Sequence, residues 1–278
     1  MQKRRVIIFG AGGSGRKVFQ AHAKDLRYEI VSFVDNSEQA WGELFGLPVF
    51  SPEHLTATEF DEVWVAVSVG TSMVCSQLES IGVAPEKIVI PTEIAVVVQS
   101  RILFLERLAV QMQDWDPALC VAEAGVFQGE FAVQINRCFP ARKLYLFDTF
   151  EGFAGQDVAY EKEKRIQAGM FRETSEELVL GRLPHPEQAV IRKGWFPQTA
   201  QDVEEHFCFV NMDLDLYKPT LEGLRLFWPR MVPNGVILVH DYFNDRFPNV
   251  KQAVDEFAAE AQAKTLPIGD GISIALIR

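Results

Sequence analysis

The sequence predicts an α/β protein made of two Rossmann-like units in tandem. Three observations lead there. Short apolar runs alternate with helical stretches along most of the 278 residues, the pattern of parallel sheets covered by crossover helices. Twice, an apolar run enters a glycine turn, then a helical stretch, then a second apolar run closed by an aspartate; the two aspartates are Asp35 and Asp148. Apolar content of 48% is ample for real cores, and the length suits two domains.

The first unit spans residues 1–92 and reads as a small parallel α/β sheet. Val6, Ile7, Ile8 and Phe9 form a short buried strand leading into Gly10, Gly12, Gly13 and Gly15, a G-x-G-x-x-G turn. A helix follows from about Arg16 to Lys24, residues 29–34 are the next strand, and Asp35 closes it. Strand, glycine turn, helix, strand and acid are the context that a dinucleotide fingerprint requires. Residues 47–50 are extended, and Ser51 with Pro52 reads as a cap and first helical position. Residues 63–67 then form a strand, 72–80 a helix and 87–90 a last strand before Pro91. Two readings of the turn stay open. Either NAD(H) or another nucleotide rests on Gly10, Gly12, Gly13 and Gly15 with Asp35 on its ribose, or the glycines only let helix and strand pack closely. A unit this short leaves no catalytic half to accept a hydride, which weighs against a working dehydrogenase.

Residues 93–117 read as a helical connector. Residues 94–98 are an apolar β-branched run, and from Ser100 the spacing changes. Ile102, Leu105, Leu108 and Met112 recur at helical intervals, with Arg101, Glu106, Arg107, Gln111 and Gln113 on the other face. A helix over residues 100–113 is expected, stopped by Asp114, Trp115, Asp116 and Pro117.

The second unit spans residues 118–278. The apolar run 118–122 is a buried strand with Glu123 at its carboxyl end; Gly125 and Gly129 follow, and the pattern turns helical near Glu130. The next apolar run ends in Asp148, with Thr149 beside it. This is the layout of a nucleoside site at the carboxyl edge of a parallel sheet, where an acid holds two ribose hydroxyls. The spacing E-x-G-x-x-x-G, rather than G-x-G-x-x-G, favours S-adenosylmethionine, whose sulfonium cation gives no reason for a diphosphate cradle. Residues 154–186 are polar and weakly periodic, which suits either an active-site lid or a surface excursion. Strands follow at 189–191, at 207–212 and at 236–239, with a crossover helix over 219–231. A helix over 249–261 and closing strands at 264–266 and 272–277 complete seven strands, with Gly269, Asp270 and Gly271 in the turn between the last two. Two strand ends thus bring Asp213, Asp215, His240 and Asp241 to the edge that carries Glu123 and Asp148. Residues two apart on an extended chain face one side, so Asp213 and Asp215 are expected to share a site. Converging carboxylates with few basic partners point to a hard divalent cation.

The literal strings go further. Glu-Ala-Gly-Val-Phe-Gln-Gly-Glu-Phe from Glu123 and Leu-Tyr-Leu-Phe-Asp-Thr-Phe-Glu-Gly-Phe from Leu144 closely resemble the macrocin O-methyltransferase (TylF-type) family. Lys193 to Thr199, Asp213-Leu214-Asp215-Leu216-Tyr217 and His240-Asp241-Tyr242 match in order and approximate spacing. The resemblance covers residues 119–278. It implies a seven-stranded class I methyltransferase fold and a Mg²⁺-assisted O-methylation of a sugar hydroxyl on a glycosylated metabolite, nucleotide sugar or polysaccharide precursor. In it, Glu123, Ala124, Gly125 and Gly129 border the methyl donor's chain, Asp148 and Thr149 its ribose, and Trp195 or Phe196 its adenine, though both aromatics suit a core equally. Asp213, Asp215, His240 and Asp241 are the metal and acceptor residues. His240 departs from the family, which has an acid there; imidazole is a poorer ligand for Mg²⁺ and tolerates Mn²⁺ better. Leu216 stands where small catechol-type methyltransferases keep a lysine base, so Asp215, His240 or a lid residue such as His185 must take the proton. Members of the family often form dimers, and the connector helix is a candidate homodimer surface; packing inside the chain uses it equally well. The stretches 33–36 and 46–49 resemble the N-terminal domain of bacterial sugar-modifying and surface-polysaccharide enzymes, which implies a nucleotide-sugar context.

Bulk composition removes other classes. A net charge of -11 argues against nucleic-acid or anionic-membrane partners. No apolar run reaches the ~18 residues that span a bilayer, and the run after Lys3, Arg4 and Arg5 is too short for a signal, so a cytoplasmic location is expected. Cys75, Cys120, Cys138 and Cys208 have no metal-type spacing and read as free thiols. The rivals are a nucleotide-dependent oxidoreductase or nucleotide-sugar-binding module on the first turn, a metal-independent methyltransferase, and a scaffold with a decayed site.

Overall fold

Two central sheets, each covered by helices on both faces, account for the two apolar periodicities of the chain. A computed structural model describes residues 3–67, 70–161 and 166–278, without the side chains of residues 72 and 98. It divides into two units, Met1–Gln99 and Ser100–Arg278.

In the first unit, β1 (Arg4–Phe9), α1 (Gly13–His22), β2 (Tyr28–Val34), β3 (Gly42–Leu44), β4 (Leu47–Phe50), β5 (Glu62–Val65), α2 (Thr71–Ser80) and β6 (Ile88–Val89) follow in order. The sheet runs β3-β4-β2-β1-β5-β6. Only β3 breaks the parallel pattern: Phe45 and Gly46, both at positive φ, turn the chain back so that β3 pairs antiparallel with β4. Side chains alternate between two cores, with Val6 and Ile8 on one face and Ile7 and Phe9 on the other. After Ser51 the chain makes only a short 3-10 turn (Pro52–Ala57), which the serine side chain does not cap.

The connector helix, α3 (Thr92–Gln111), begins earlier than its periodicity suggests. The β-branched run 94–98 is helical. Branching costs a helix only tenths of a kcal/mol per residue, and Ile94, 3% exposed, anchors that turn in the first unit's core.

The second unit contains β7 (Cys120–Ala124), α4 (Glu130–Cys138), β8 (Leu144–Asp148), α5 (Gly155–Val158), α6 (Glu176–Arg182), β9 (Ala189–Lys193), β10 (Phe207–Met212), α7 (Tyr217–Phe227), β11 (Met231–Val239), α8 (Pro248–Ala261), β12 (Lys264–Pro267) and β13 (Ile274–Ile277). The sheet order is β12-β13-β11-β10-β7-β8-β9, parallel except where β13 runs antiparallel to β11 and β12. This is the seven-stranded class I methyltransferase sheet. Leu105, Leu108 and Met112 of α3 pack with Val121, Leu144, Leu146 and Phe209 on one face. Ala122, Tyr145, Phe147, Val210 and Met212 face the other core, beneath α7 and α8. Strand order reverses between β7 and β10, so the ends of those two strands flank the crevice where such sheets take ligands. Cys120 and Cys208 are buried and Cys75 and Cys138 partly so, all as free thiols. No helix of the described residues is long and apolar enough to cross a membrane.

Candidate active site at the carboxyl edge of the second sheet

Backbone bonds stitch the carboxyl ends of five neighbouring strands into one edge. Gly125 N–H donates to Phe147, Asp213 N–H to Ala124 and His240 N–H to Met212, while Gly194 N–H donates to Asp148, all at 2.8–2.9 Å. Gly125 is obligatory here for packing. At φ +82° an added Cβ would lie 1.9 Å from the Asp213 carbonyl oxygen. Gly129, also at positive φ, caps the start of α4, and a Cβ added there would lie 3.1 Å from the Val179 side chain of α6.

Asp148 turns its carboxylate onto the glycine turn. One oxygen accepts from the N–H groups of Val126 and Phe127 at 2.8 Å, and the other from Phe150 at 2.7 Å. The acid therefore fixes the loop that would surround a ligand, and Thr149 closes the next turn by donating to the Gly152 carbonyl at 2.8 Å. Glu123 is 2% exposed; one carboxylate oxygen accepts from Asn211 at 2.8 Å and the other has no partner. Burial pushes its carboxyl well above the ordinary range, against the pull of Arg101. Trp195 lies just past β9 and donates its indole N–H to Asp157 of α5 at 2.7 Å, with the Lys218 ammonium 5.4 Å from its ring.

The segment expected as a lid is docked on this edge, with residues 162–165 outside the described part. Phe153 and Gly169 exchange backbone bonds with Met170 and Phe153, and Gly152 sits so close that a Cβ would be 2.3 Å from the Met170 carbonyl. Phe171 meets Phe127 and Phe153 edge-on, at 5.5 and 5.3 Å. The Thr174 hydroxyl donates to the Phe127 carbonyl, and Arg182 donates to that of Gln128 at 2.8 Å. Arg246, from the loop after His240, stands 5.7 Å from the Phe171 ring.

The polar centre lies beside the turn. His240 Nδ1 is 2.8 Å from Asp241 and 3.1 Å from Asp213, and donor atoms of these three residues all lie within 4.8 Å of one another. Burial alone would lower the imidazole's pKa; the two carboxylates outweigh it and hold the ring up at about 9. Asp215 is not on a strand, because β10 stops at Met212 and Asp215 itself has φ +60°. It reaches the cluster through that turn and shares a hydrogen bond with Asp241. Burial, then the charges of Asp241 and Asp213, push its carboxyl well above the ordinary range. Burial works against Asp241 too, but His240 and the bonds from Asp215 and Asn244 pull it below that range. Asp215 and Asp241 are thus pushed in opposite directions, Asp215 up and Asp241 down.

His185 lies at the wrong edge. It precedes the start of β9, and its backbone N–H and carbonyl pair with the side chain of Asn136 at 2.7 and 3.0 Å, on the amino side of the sheet. Sequence periodicity missed Arg101. On the polar face of α3, it donates to Asn211 at 2.8 Å, approaches Asp213 at 3.4 Å and lies 4.0 Å over the Phe131 ring.

In the first unit, Asp35 repeats the device of Asp148: its carboxylate accepts from Ala11 N–H and Ser37 N–H, both at 2.8 Å. Gly10 and Gly15 are packing glycines, since a Cβ on Gly15 would lie 1.8 Å from the Gly10 carbonyl and one on Gly10 2.8 Å from that of Ala66. Gly12 and Gly13 face open space.

Comparison with known proteins gives a family match in each unit. Residues 120–270 match the macrocin-O-methyltransferase (TylF) family profile, and residues 2–89 match the one described as C2185-like, N-terminal. The chain is similar to demethyldecarbamoylnovobiocin O-methyltransferase of Streptomyces niveus, 26% identical over 155 residues, which are 50% of this chain and 58% of that protein. It thus spans little more than half the length of that curated relative. Two solved structures share the fold. The O-methyltransferase NovP aligns with TM-score 0.55 and 23% identity over 64% of this chain and 79% of its own. CalS11, a calicheamicin methyltransferase, aligns with TM-score 0.56 and 19% identity over 77% of this chain and 94% of its own.

Proposed function

The chain belongs to the macrocin O-methyltransferase (TylF) family, whose profile covers more than half of it, and from that premise we propose that it transfers a methyl group from S-adenosylmethionine to a sugar hydroxyl with help from a divalent cation. The observation that carries this reading is the shared edge. A glycine turn held by Asp148 and the buried, half-unpaired Glu123 stand beside the Asp213, His240 and Asp241 cluster. The relative's name speaks of a demethylated novobiocin precursor, and a sugar-bearing acceptor is the family's implication for this chain.

The donor set fits a cation: two carboxylate oxygens and one imidazole nitrogen converge, and a metal would take the place of the proton between them. Asp213, His240 and Asp241 would hold Mg²⁺, or Mn²⁺ better given the imidazole, and the ion would polarise an acceptor hydroxyl. The transfer breaks the donor's S–CH3 bond, forms an O–CH3 bond and leaves one proton from the hydroxyl. The hydroxyl proton passes to the carboxylate and imidazole cluster at this edge, in which Asp215 and Asp241 are hydrogen-bonded to each other. Glu123 and the glycine turn from Gly125 to Gly129 border the donor chain. Phe127, Phe153 and Phe171 exclude water, which keeps the sulfonium from hydrolysis.

The test is release of S-adenosylhomocysteine from S-adenosylmethionine in the presence of a panel of nucleotide sugars. Acceptor-dependent release is expected, lost with a chelator, restored by Mn²⁺ and absent in Asp213→Ala. Turnover that ignores the chelator and survives Asp213→Ala would contradict the metal-assisted reading and favour the metal-independent one. Nucleotide binding in the first unit is a second reading, favoured by the open space over Gly12 and Gly13, and titration with NAD(H) and uridine diphosphate tests it.

A further inference from the structure

Arg101 holds a largely covered position beside the candidate cluster. Its side chain is 13% exposed, it donates to Asn211 at 2.8 Å, and its guanidinium lies 4.0 Å over the Phe131 ring. Asn211 in turn donates to Glu123 at 2.8 Å, so these contacts fix the guanidinium whatever Asp213 does. Its contacts with Asp213 are longer, at 3.4 and 3.5 Å, and use Oδ2, while Oδ1 of the same carboxylate faces His240.

A permanent positive charge is thus built in beside one of the three residues of the candidate cation cluster. A divalent ion on Asp213 would sit next to that charge in a place where water screens little, and like charges repel there more strongly than in solvent. From these contacts we infer that Arg101 is a positioning residue that competes with the divalent cation for Asp213. It satisfies the carboxylate when no ion is bound and keeps affinity for the ion alone low. Through Asn211 it ties the same charge to Glu123 on the donor side. The ligand class is a hard divalent cation, and the inference rests on the cation reading proposed above.

The test is Mn²⁺ affinity of the full-length protein, read by electron paramagnetic resonance, for wild type, Arg101→Gln and Arg101→Lys. Thermal melting and S-adenosylhomocysteine titration serve as checks of folding. Arg101→Gln is expected to bind Mn²⁺ about tenfold more tightly, equivalent to about 1.4 kcal/mol, and Arg101→Lys to stay near wild type. A merely structural arginine predicts the opposite, because its loss loosens Asp213 and weakens the ion. Unchanged or weaker binding by a folded Arg101→Gln, with wild type binding Mn²⁺, overturns this inference and leaves the cation reading intact. Mn²⁺ binding by Arg101→Gln but not by wild type supports the inference while limiting the ion's role in the native protein. No binding by any of the three, with S-adenosylhomocysteine still bound, overturns both.

Discussion

Gly125 shows how much of the edge rests on single atoms. Its Cβ-free approach to the Asp213 carbonyl sets the distance between the glycine turn and the end of β10. Gly125→Ala combines a clash with an unfavourable φ and is expected to cost about 3 kcal/mol or more, with S-adenosylhomocysteine binding lost. Gly12→Ala is the contrast: φ is -78° and the space is open, so the melting temperature should hardly move. Equal losses in both variants would remove the packing argument. Away from the site, Glu205 accepts from Lys143 at 3.0 Å and from the Tyr145 hydroxyl, which hold its carboxyl down at about 2. A depressed acid stabilises above its unfolded pKa, near 4.5, and loses that contribution as pH falls through about 2. Its side chain is a third exposed, so solvent screening limits the effect to about 1 kcal/mol. Urea midpoints of Glu205→Gln should trail wild type at pH 7 and converge with it between pH 4.5 and 2; a gap that persists at the low end would contradict the assignment. Residue by residue, the sequence discloses Glu123, Asp148, Asp213, His240 and Asp241 because each rides on or just past a strand end. It hides Arg101, which helical spacing assigns to a polar outer face, and it hides the turn that lifts Asp215 off the strand.

At the level of elements, strand ends are legible and connections are less so. All seven strands of the second sheet are expected from apolar runs, and β3 is missed because three residues between turn signals carry no period. The start of α3 is missed because β-branched residues read as extended until tertiary packing overrides them. His185 falls in a stretch read as one lid, whereas the chain crosses from one edge of the sheet to the other before β9 begins. Arg142 is another element-level device. Nearly buried, it donates to the carbonyls of Met112, Trp115, Asp116 and Leu119, closing the turn between α3 and β7. Arg142→Ala strands those carbonyls and should lower stability by about 3 kcal/mol. Arg142→Lys should recover only part, since an ammonium lacks the fork that reaches several carbonyls. Urea unfolding of both variants checks this, and a lysine variant equal to wild type would argue that charge alone matters.

Across the whole molecule, each unit repeats one plan: a parallel sheet, a glycine turn at its carboxyl edge and an acid whose oxygens hold that turn by backbone amides. Sequence alone expects Asp148 on a ligand ribose and leaves Asp35 between a nucleotide ribose and a turn that only packs helix on strand. The structure gives both a first duty to the loop, through the bonds from Ala11 to Asp35 and from Val126 and Phe127 to Asp148. Among the described residues, only the second unit adds a converging Asp213, His240 and Asp241 cluster and a docked cover of aromatic side chains. The most direct measurement is calorimetric titration of the full chain with S-adenosylhomocysteine, and separately with NAD(H). One site of micromolar affinity for S-adenosylhomocysteine, weakened at least tenfold by Asp148→Ala and indifferent to Asp35→Ala, is the predicted result. Heat from NAD(H) alone, removed by Asp35→Ala, would move the chemistry to the first unit and contradict the account.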